Sequence, residues 1–252
     1  MSKVGIVILA TNAYFVLGLR FIRKFMHHYK GDSKIVFYFF SDTDPTPYLR
    51  EGEDVVFIKE EHRSWVDGTN SKFKNIISLE NTDCDYLFYF DADTNVNKDF
   101  TGDWFLGELV GGEHFGNRGW LKDGAGYDKN PISKAYVDPK STLPKMYYYG
   151  AFFGGKKDKM VEFCKVLRHN QLEDKKIPYE PGVNDESYIN QYFHYNPPTR
   201  VVSIEEFVFN VSDKGGIAGT RNSKLSVGPL KKDILLNNTK LYDIKGGKVC
   251  IL

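Results

Sequence analysis

Two aspartates, Asp91 and Asp93, follow directly on the apolar run of residues 86–90 in the stretch YLFYFDAD. Carboxylates spaced this way at the end of a buried strand offer hard oxygen ligands. Such ligands suit Mg²⁺ or Mn²⁺, especially when a phosphate completes the coordination shell. The simpler interpretation is that both residues end the strand and cap the next element. The apolar run before the pair is the context that favours the metal-site hypothesis.

Two kinds of enzyme chemistry use such a pair. In phosphatases of the haloacid-dehalogenase type, the first aspartate of DxDx[TV] is a nucleophile that follows the first strand. Here Asn95 holds the fifth position and other predicted strands come earlier, so that chemistry fits poorly. In a nucleotide-sugar glycosyltransferase the pair holds a metal against the diphosphate, and the metal neutralises charge on the departing UDP. This second chemistry needs another carboxylate, facing the sugar, further along the chain.

The segments that must position this pair alternate between strands and helices. Runs of β-branched and aromatic residues predict strands at 4–10, 34–42, 54–59 and 85–93. Helical spacing of apolar residues predicts helices at 15–29, 71–81 and 158–169. This alternation predicts an α/β fold with a Rossmann-like, mostly parallel sheet. Ligands of such open sheets bind at the carboxyl ends of the strands, where Asp91 and Asp93 are expected.

The composition excludes several classes of protein. The chain has 252 residues, and 34 Lys and Arg against 33 Asp and Glu leave a net charge of +1, which gives no indication of nucleic-acid binding. The opening run VGIVILA is too short to cross a membrane, so we expect no integral membrane segment. The 3 cysteines show no zinc-ligand spacing, and neither GxGxxG nor a P-loop is present. With no repeat or clear linker, residues 1–252 are interpreted as one domain.

The required second carboxylate occurs in NDESYINQY, residues 184–192. This block resembles the pattern His-Asp-Glu-Ser-x-Leu-Asn-Lys-Tyr of glycosyltransferase family 6. That family includes the histo-blood-group A and B transferases, the α-1,3-galactosyltransferase and shorter bacterial members. The matching residues are Asp185, Glu186, Ser187, Asn190 and Tyr192. By itself, Glu186 would more simply be an acid at a helix N-terminus, where the helix dipole favours negative charge.

Other blocks resemble the same family in the same order. YYYGAFFGG is similar to its Tyr-Tyr-x-Gly-Gly-Phe-Phe-Gly-Gly, and RSWVDGTNSKF to its flexible Arg-Trp-Gln-Asp loop. ILATNAY is similar to the first strand, which contacts the nucleotide. The stretch EHFGNRGWLKDGAGYDKNPISKAYV also follows the family pattern, and there the coinciding residues are His114, Tyr127, Pro131, Ala135 and Tyr136. The likeness covers roughly residues 4–232.

The resemblance implies a GT-A fold and retaining transfer of galactose or N-acetylgalactosamine from a UDP-sugar, in α-1,3 linkage, to a galactose-containing glycan. About residues 1–100 would be the nucleotide-binding half and 101–252 the acceptor-binding half. Glu186 would be the catalytic residue, as a nucleophile or as a stabiliser of an oxocarbenium-like state. Mn²⁺ or Mg²⁺ would be held by Asp91 and Asp93. Donor-binding residues would be Ala10, Tyr14, Trp65, Asp67, Asp91, Asp93, Tyr149, Gly150, Ala151, Asp185 and Lys231. Acceptor-binding residues would be His114, Gly126 and Asn210.

The chain departs from the family pattern at several acceptor positions. Val183 and Asn184 replace the Trp and His that precede the Asp-Glu pair in the animal enzymes. Gly126 stands where those enzymes have Thr, and Asn210 aligns with an acceptor-binding aspartate only after a one-residue insertion. Both aspartates of the DxD pair are kept, whereas some metal-independent bacterial relatives have Asn-x-Asn. Metal dependence is therefore favoured.

The donor pocket is expected to favour galactose. The residues aligned with Tyr149 and Ala151 line the space around the donor's C2 substituent in the animal enzymes. Alanine leaves less room than glycine, and Tyr149 is bulkier than the Leu or Met of the blood-group enzymes. A hydroxyl needs less space than an acetamide, so UDP-galactose is favoured over UDP-N-acetylgalactosamine.

Two alternatives and one expectation about location remain at this point. FDADTNV also resembles the glycogenin-like family 8 transferases, which retain configuration too. A non-enzymatic alternative is a catalytically inactive glycan-binding module descended from a transferase. Animal family members carry a membrane anchor and stem, whereas here Met1 lies a few residues before the first predicted strand. We therefore expect a cytoplasmic protein that is bacterial or phage-encoded.

Overall fold

A computed structural model describes residues 1–12, 14–62, 65–94, 96, 98–119 and 121–203. The strands are β1 (Lys3–Leu9), β2 (Lys34–Ser41), β3 (Val55–Lys59), β4 (Tyr86–Asp91), β5 (Leu109–Glu113), β6 (Tyr148–Lys156) and β7 (Arg200–Val202). The helices are α1 (Tyr14–His28), α2 (Trp65–Ile77), α3 (Lys157–Asp174) and α4 (Asn184–Tyr195). Within these described ranges, no helix is both long and apolar enough to cross a lipid bilayer.

The strands form one sheet in the order β3-β2-β1-β4-β6-β5-β7. Strands β1 to β4 are parallel to one another, β6 is antiparallel to both of its neighbours, and β7 is parallel to β5. The predicted α/β architecture with a mostly parallel, GT-A-like sheet is thereby confirmed. After β1 the chain moves to β2 on one side, and β4 pairs with β1 on the other. The β1/β4 boundary is thus a topological switch point, where open sheets bind their ligands.

The two faces of the sheet are covered by different helices. Phe88 and Phe90 of β4 pack on the face shared with α1, whereas Leu87 and Tyr89 pack on the face shared with α2, α3 and α4. Successive strand residues point to opposite faces, so Asp91 projects to the same face as Tyr89. The sheet therefore delivers the Asp91 carboxylate toward α2 and α4.

Three helix boundaries differ by four residues or more from those predicted, one of them the end of α2, at Ile77 rather than residue 81. Helix α2 begins at Trp65 rather than at residue 71, so the segment expected to be a flexible loop forms a helical turn. Its polar residues 67–71 give no apolar periodicity, and a contact to α3 supports them, because the Gln171 amide donates to Asn70 Oδ1 at 2.9 Å. Helix α3 continues beyond residue 169 to Asp174, whose buried carboxylate accepts bonds from the segment around Ser133. Tertiary contacts thus extend α2 at its start and α3 at its end beyond the range that apolar periodicity predicted.

Candidate active site

The aspartate pair lies at the carboxyl edge of the sheet. Asp91 is the last residue of β4 and pairs with Leu9 at the end of β1. Its side chain is 36% exposed, and Asp93 is also partly exposed, while Ala92 between them is buried. The Tyr89 hydroxyl donates to Asp91 Oδ1 at 2.8 Å. The structure thus holds one carboxylate by a buried phenol and keeps both accessible from the ligand-binding edge.

Lys72 of α2 is a buried cation at the centre of the site, and the sequence interpretation missed it. Its ammonium lies 2.7 Å from Asp185 Oδ2 and 3.5 Å from Asp91 Oδ1. It also donates to the Gly150 carbonyl at 3.2 Å and lies 4.6 Å above the centre of the Tyr89 ring. A signal was available, because Lys72 precedes Ile76 by one helical turn on the apolar face of α2. A lysine on a buried helix face requires a charged partner.

The Lys72–Asp185 pair is almost completely enclosed, since the two side chains are 3% and 8% exposed. Burial alone would lower the pKa of Lys72, but the charges of Asp185 and Asp91 outweigh burial and raise it, so Lys72 is charged. Burial raises the pKa of Asp185, and the Lys72 ammonium counteracts that effect. Lys72 therefore forms ion pairs with both the end of β4, at Asp91, and the start of α4, at Asp185.

Glu186 lies in the first turn of α4 beside Asp185. Its Oε2 accepts a hydrogen bond from the Gly150 N–H at 2.7 Å. Burial raises the pKa of Glu186 to about 8, and the neighbouring Asp185 charge acts in the same direction. A Cβ atom at Gly150 would lie only 3.0 Å from Glu186 Cβ and Oε2, so glycine permits this close approach. The Glu186 carboxylate is thus held against β6 by the N–H of Gly150, whose carbonyl accepts from Lys72.

Tyrosines from β6 and the residue before it surround Glu186. The Tyr147 hydroxyl is buried, and no described residue forms a hydrogen bond of ordinary geometry with it. Burial, and then the Glu186 charge, raise the pKa of that phenol. Tyr149, two residues further along the chain, is also buried. Burial and the charges of Asp91 and Asp93 raise its pKa. Both phenols therefore stay protonated as potential hydrogen-bond donors.

His114 and Gly126 lie on the other side of these tyrosines. The His114 ring meets Tyr147 and Tyr149 edge-on, at centroid distances of 5.7 and 5.2 Å. Its Nδ1 accepts from the Gly116 N–H at 2.9 Å, so the neutral ring carries its proton on Nε2. Burial lowers the pKa of His114 to about 4, which keeps the ring neutral. A Cβ at Gly126 would lie 2.3 Å from Leu121 Cδ2, so a threonine would require rearrangement there.

The first strand ends in a polar cluster that the sequence interpretation did not single out. The Ala10 carbonyl accepts from Ser41 Oγ at 2.7 Å, and the Asn12 N–H donates to both Asp42 oxygens at 3.0 and 3.2 Å. The His62 ring contacts the side chains of Thr11 and Asn12 at 3.1 and 3.3 Å. Tyr14 begins α1 beside this cluster, and Trp65 and Asp67 lie in the first turn of α2. The remaining expected site residues, Asn210 and Lys231, lie outside the described residues.

The acidic side chains fit a hard divalent cation only if the ligand supplies much of the shell. No group of three or more His, Cys, Asp or Glu residues within the described ranges could hold a metal ion. Asp91 and Asp93 nevertheless offer carboxylate oxygens at an accessible edge, and Mg²⁺ in particular often takes one or two carboxylates plus phosphate oxygens and water. The donor chemistry therefore fits Mn²⁺ or Mg²⁺ bound together with a diphosphate.

Comparisons with known proteins agree with this fold. A model of glycosyltransferase family 6 matches residues 2–226. Histo-blood group ABO system transferase 2 of Rattus norvegicus is 27% identical over 212 residues, which cover 81% of this chain and 63% of the relative. Globoside alpha-1,3-N-acetylgalactosaminyltransferase 1 of Gallus gallus is 28% identical over 211 residues, covering 80% and 60%. O-antigen biosynthesis glycosyltransferase WbnI of Escherichia coli is 27% identical over 167 residues, covering 64% and 69%.

A mostly parallel sheet with carboxylates at its carboxyl edge is the architecture of a GT-A-like glycosyltransferase fold. Because the family model covers nearly the whole chain, the chain belongs to glycosyltransferase family 6. The alternative resemblance to family 8 is therefore set aside. The chain spans 63% and 60% of the length of two curated histo-blood group ABO system transferases of Rattus norvegicus.

Proposed function

We propose that the protein transfers galactose or N-acetylgalactosamine from a UDP-sugar, with retention of configuration, in α-1,3 linkage to a galactose-containing glycan. Family membership supports the reaction class, and the printed name of one relative supports N-acetylgalactosamine and the α-1,3 linkage. One relative is named as an α-1,3-N-acetylgalactosaminyltransferase and another as an O-antigen biosynthesis enzyme. In this proposal about residues 1–100 bind the nucleotide and residues 101–252 bind the acceptor.

One observation carries the proposal: Gly150 is held from two sides by charged groups of different elements. Its N–H donates to Glu186 at 2.7 Å and its carbonyl accepts from Lys72 at 3.2 Å, while Lys72 also contacts Asp185 and Asp91. A sugar bound near Gly150 would therefore have the Glu186 carboxylate on one side and the diphosphate-binding aspartates on the other. This is the arrangement that a transfer between a leaving diphosphate and an acceptor hydroxyl requires.

The residues of the chain have separate roles in this proposal. Glu186 stabilises positive charge on the anomeric carbon, as nucleophile or as counter-charge. A divalent cation bound by Asp91 and Asp93 would supply neutralising charge to the diphosphate. The donor sugar is oriented by Asp185, which Lys72 fixes in place. The further donor contacts proposed are those of Ala10, Tyr14, Trp65, Asp67, Tyr149, Gly150, Ala151 and Lys231, and the acceptor contacts are those of His114, Gly126 and Asn210.

Turnover of a UDP-sugar with and without metal tests the proposal. Release of UDP in the presence of a galactoside should fall to background in EDTA and return with Mn²⁺. Asp93→Asn should lose this metal response because it removes one carboxylate ligand. Asp158→Asn is the matched control, since Asp158 is exposed beyond the opposite end of β6. Full activity in EDTA would contradict metal dependence, and binding of the galactoside without any turnover would favour the glycan-binding module.

The donor pocket is proposed to favour galactose. Tyr149 and Ala151 are 7% and 4% exposed, so both add volume to a closed part of the site. A single methyl group discriminates by about 1–3 kcal/mol, so we expect kcat/KM for UDP-galactose to exceed that for UDP-N-acetylgalactosamine roughly tenfold. Ala151→Gly should narrow this ratio. An unchanged ratio would show that the C2 substituent does not contact Ala151.

A further inference from the structure

Strand β6 lacks regular β5 pairing beside Glu186. The pairing runs from Leu109 opposite Gly155 to Gly111 opposite Phe153, and resumes only at Glu113 opposite Tyr148. Residues 149–152 of β6 therefore lie opposite Gly112 alone. Buried backbone N–H and C=O groups require partners, so this part of the strand must find them outside β5.

Helix α4 bonds to the β6 backbone through two side chains, at Gly150 within this stretch and at Tyr148 just before it. Glu186 accepts from the Gly150 N–H, as described above. Asn190 forms a matched pair of bonds with Tyr148, because its Oδ1 accepts from the Tyr148 N–H at 2.7 Å and its Nδ2 donates to the Tyr148 carbonyl at 2.9 Å. Asn190 thus bonds to the strand backbone as a neighbouring strand residue would. It is 1% exposed, so solvent does not compete for these bonds.

The spacing of the two contacts is matched between helix and strand. Glu186 and Asn190 are four residues apart in α4, a rise of about 6 Å. Their partners Gly150 and Tyr148 are two residues apart in β6, about 6.8 Å. Asn190 Nδ2 also donates to the Glu186 carbonyl at 2.9 Å, so one amide contacts both the strand and the turn that carries Glu186. A shift of the helix along the strand would break both Asn190 bonds to Tyr148.

We infer that Asn190 is a positioning residue that sets the register of α4 on β6 and thereby holds the Glu186 carboxylate at Gly150. This inference rests on the proposed catalytic role of Glu186. Asn190 touches no substrate in this account, because its amide is buried and bonded to backbone groups. Its effect on catalysis passes entirely through the location of the carboxylate.

Kinetics of Asn190→Leu test the inference. The substitution keeps the side chain about the same size and removes all three bonds, so Glu186 can move by a fraction of an ångström or more. We expect kcat to fall about 10- to 100-fold while the donor KM changes less than about threefold. The matched control is Asn75→Leu, since Asn75 is also a helical asparagine, is 1% exposed and has no hydrogen-bond partner for either amide atom among the described residues. The control should keep the kcat and KM of the parent.

A double substitution separates positioning through Glu186 from general damage. In a Glu186→Gln background the carboxylate is already absent, so Asn190→Leu should lower the residual kcat no further. If the two losses multiply instead, Asn190 does not act through Glu186 and the inference is overturned. It is also overturned if Asn190→Leu folds and turns over at the parent rate.

A second variant decides the question if Asn190→Leu does not fold. Asn190→Asp keeps the volume and the bond from the Tyr148 N–H, but it loses both donated bonds and repels the two carbonyls. It should show the same selective loss of kcat, and parent-like kcat in this variant would refute the positioning role. The catalytic role proposed for Glu186 fails separately, if Glu186→Gln itself keeps the parent rate. A slow Glu186→Gln beside parent-like Asn190 variants would refute only the inference.

Discussion

Among single residues, Glu186 combines a proposed catalytic role with an unfavourable ionisation. Burial raises its pKa to about 8, above the value of about 4.3 expected in an unfolded chain. Folding therefore favours the protonated acid. The stability from this preference is complete below about pH 4.3 and is lost as the pH rises through 8. Ionised Glu186 therefore lowers the stability of the fold at the position where the proposed mechanism needs a carboxylate.

The first prediction concerns Glu186→Gln. The substitution should reduce kcat at least about 100-fold, by analogy with loss of one preorganised electrostatic group. Donor affinity should change little, because the lost interaction is strongest in the transition state. The same variant should be more stable than the parent at pH 9, by up to about 5 kcal/mol, and equally stable at pH 4. Thermal unfolding at both pH values measures this difference, and equal stability at pH 9 would contradict the raised pKa.

The second prediction concerns Lys72→Met. Removing the ammonium leaves Asp185 buried without its cation, which should cost about 3–5 kcal/mol in the free energy of unfolding. Turnover should fall as well, since Asp91 and Asp185 lose their common contact. Lys74→Met is the matched control two residues along the same helix, because the Lys74 side chain is 53% exposed and its pair with Glu60 is long, at 3.4 Å. That control should cost less than about 1 kcal/mol.

Urea unfolding of both lysine variants, followed by assays of the folded proteins, measures these effects. Similar destabilisation by Lys72→Met and Lys74→Met would show that the central ion pair adds nothing beyond an ordinary surface pair.

Among the elements, Asp174 at the end of α3 forms hydrogen bonds with the segment around Ser133 and with α4. Its carboxylate accepts from Ser133 Oγ at 2.6 Å, from the Lys134 N–H at 2.8 Å and from the Tyr188 hydroxyl at 3.1 Å. These bonds join the end of α3 to the middle of α4 and to the segment around Ser133, which precedes β6. The segment that approaches the acceptor side is therefore tied to the same helix as Glu186.

The third prediction follows from this contact. Asp174→Ala should lower the melting temperature by at least about 5 °C, because it leaves several buried donors without an acceptor. Glu173→Gln is the control, since the neighbouring Glu173 pairs only with Lys176 at the surface among the described residues. A melting temperature of Asp174→Ala within about 1 °C of the parent would show that these bonds are replaced on substitution.

For the whole molecule, the site draws its groups from β1, β4, β6, α2 and α4, so ligand binding should stabilise the entire fold. We predict that UDP with Mn²⁺, at about 100 times its dissociation constant, raises the melting temperature by about 5–10 °C. Asp93→Asn should lose most of this shift, because the metal would lose a ligand. Differential scanning calorimetry gives the answer without any assay of turnover. A shift of the same size with UDP in EDTA would contradict joint binding of metal and diphosphate.

The sequence by itself determined the features that depend on local pattern. The apolar runs fixed β1 to β4, and the helical spacing located α1 and α3 to within a few residues, because both signals come from neighbours along the chain. The motifs around Asp91 and Glu186 also indicated the family. Roles assigned to individual side chains from those motifs stay predictions.

Only the tertiary structure decided how the chemistry is assembled. The contact of Glu186 with Gly150 spans 36 residues, and that of Lys72 with Gly150 spans 78. Hydrophobic periodicity carries no information about such a contact. The contacts of Lys72 and the pairing of Asn190 with Tyr148 could therefore not be predicted from the sequence. The short strands β5 and β7 were missed for a related reason, since β5 ends at a register shift and β7 has only 3 residues. Strand pairing is fixed by partners distant in sequence, and the same long-range packing raises the pKa of Glu186.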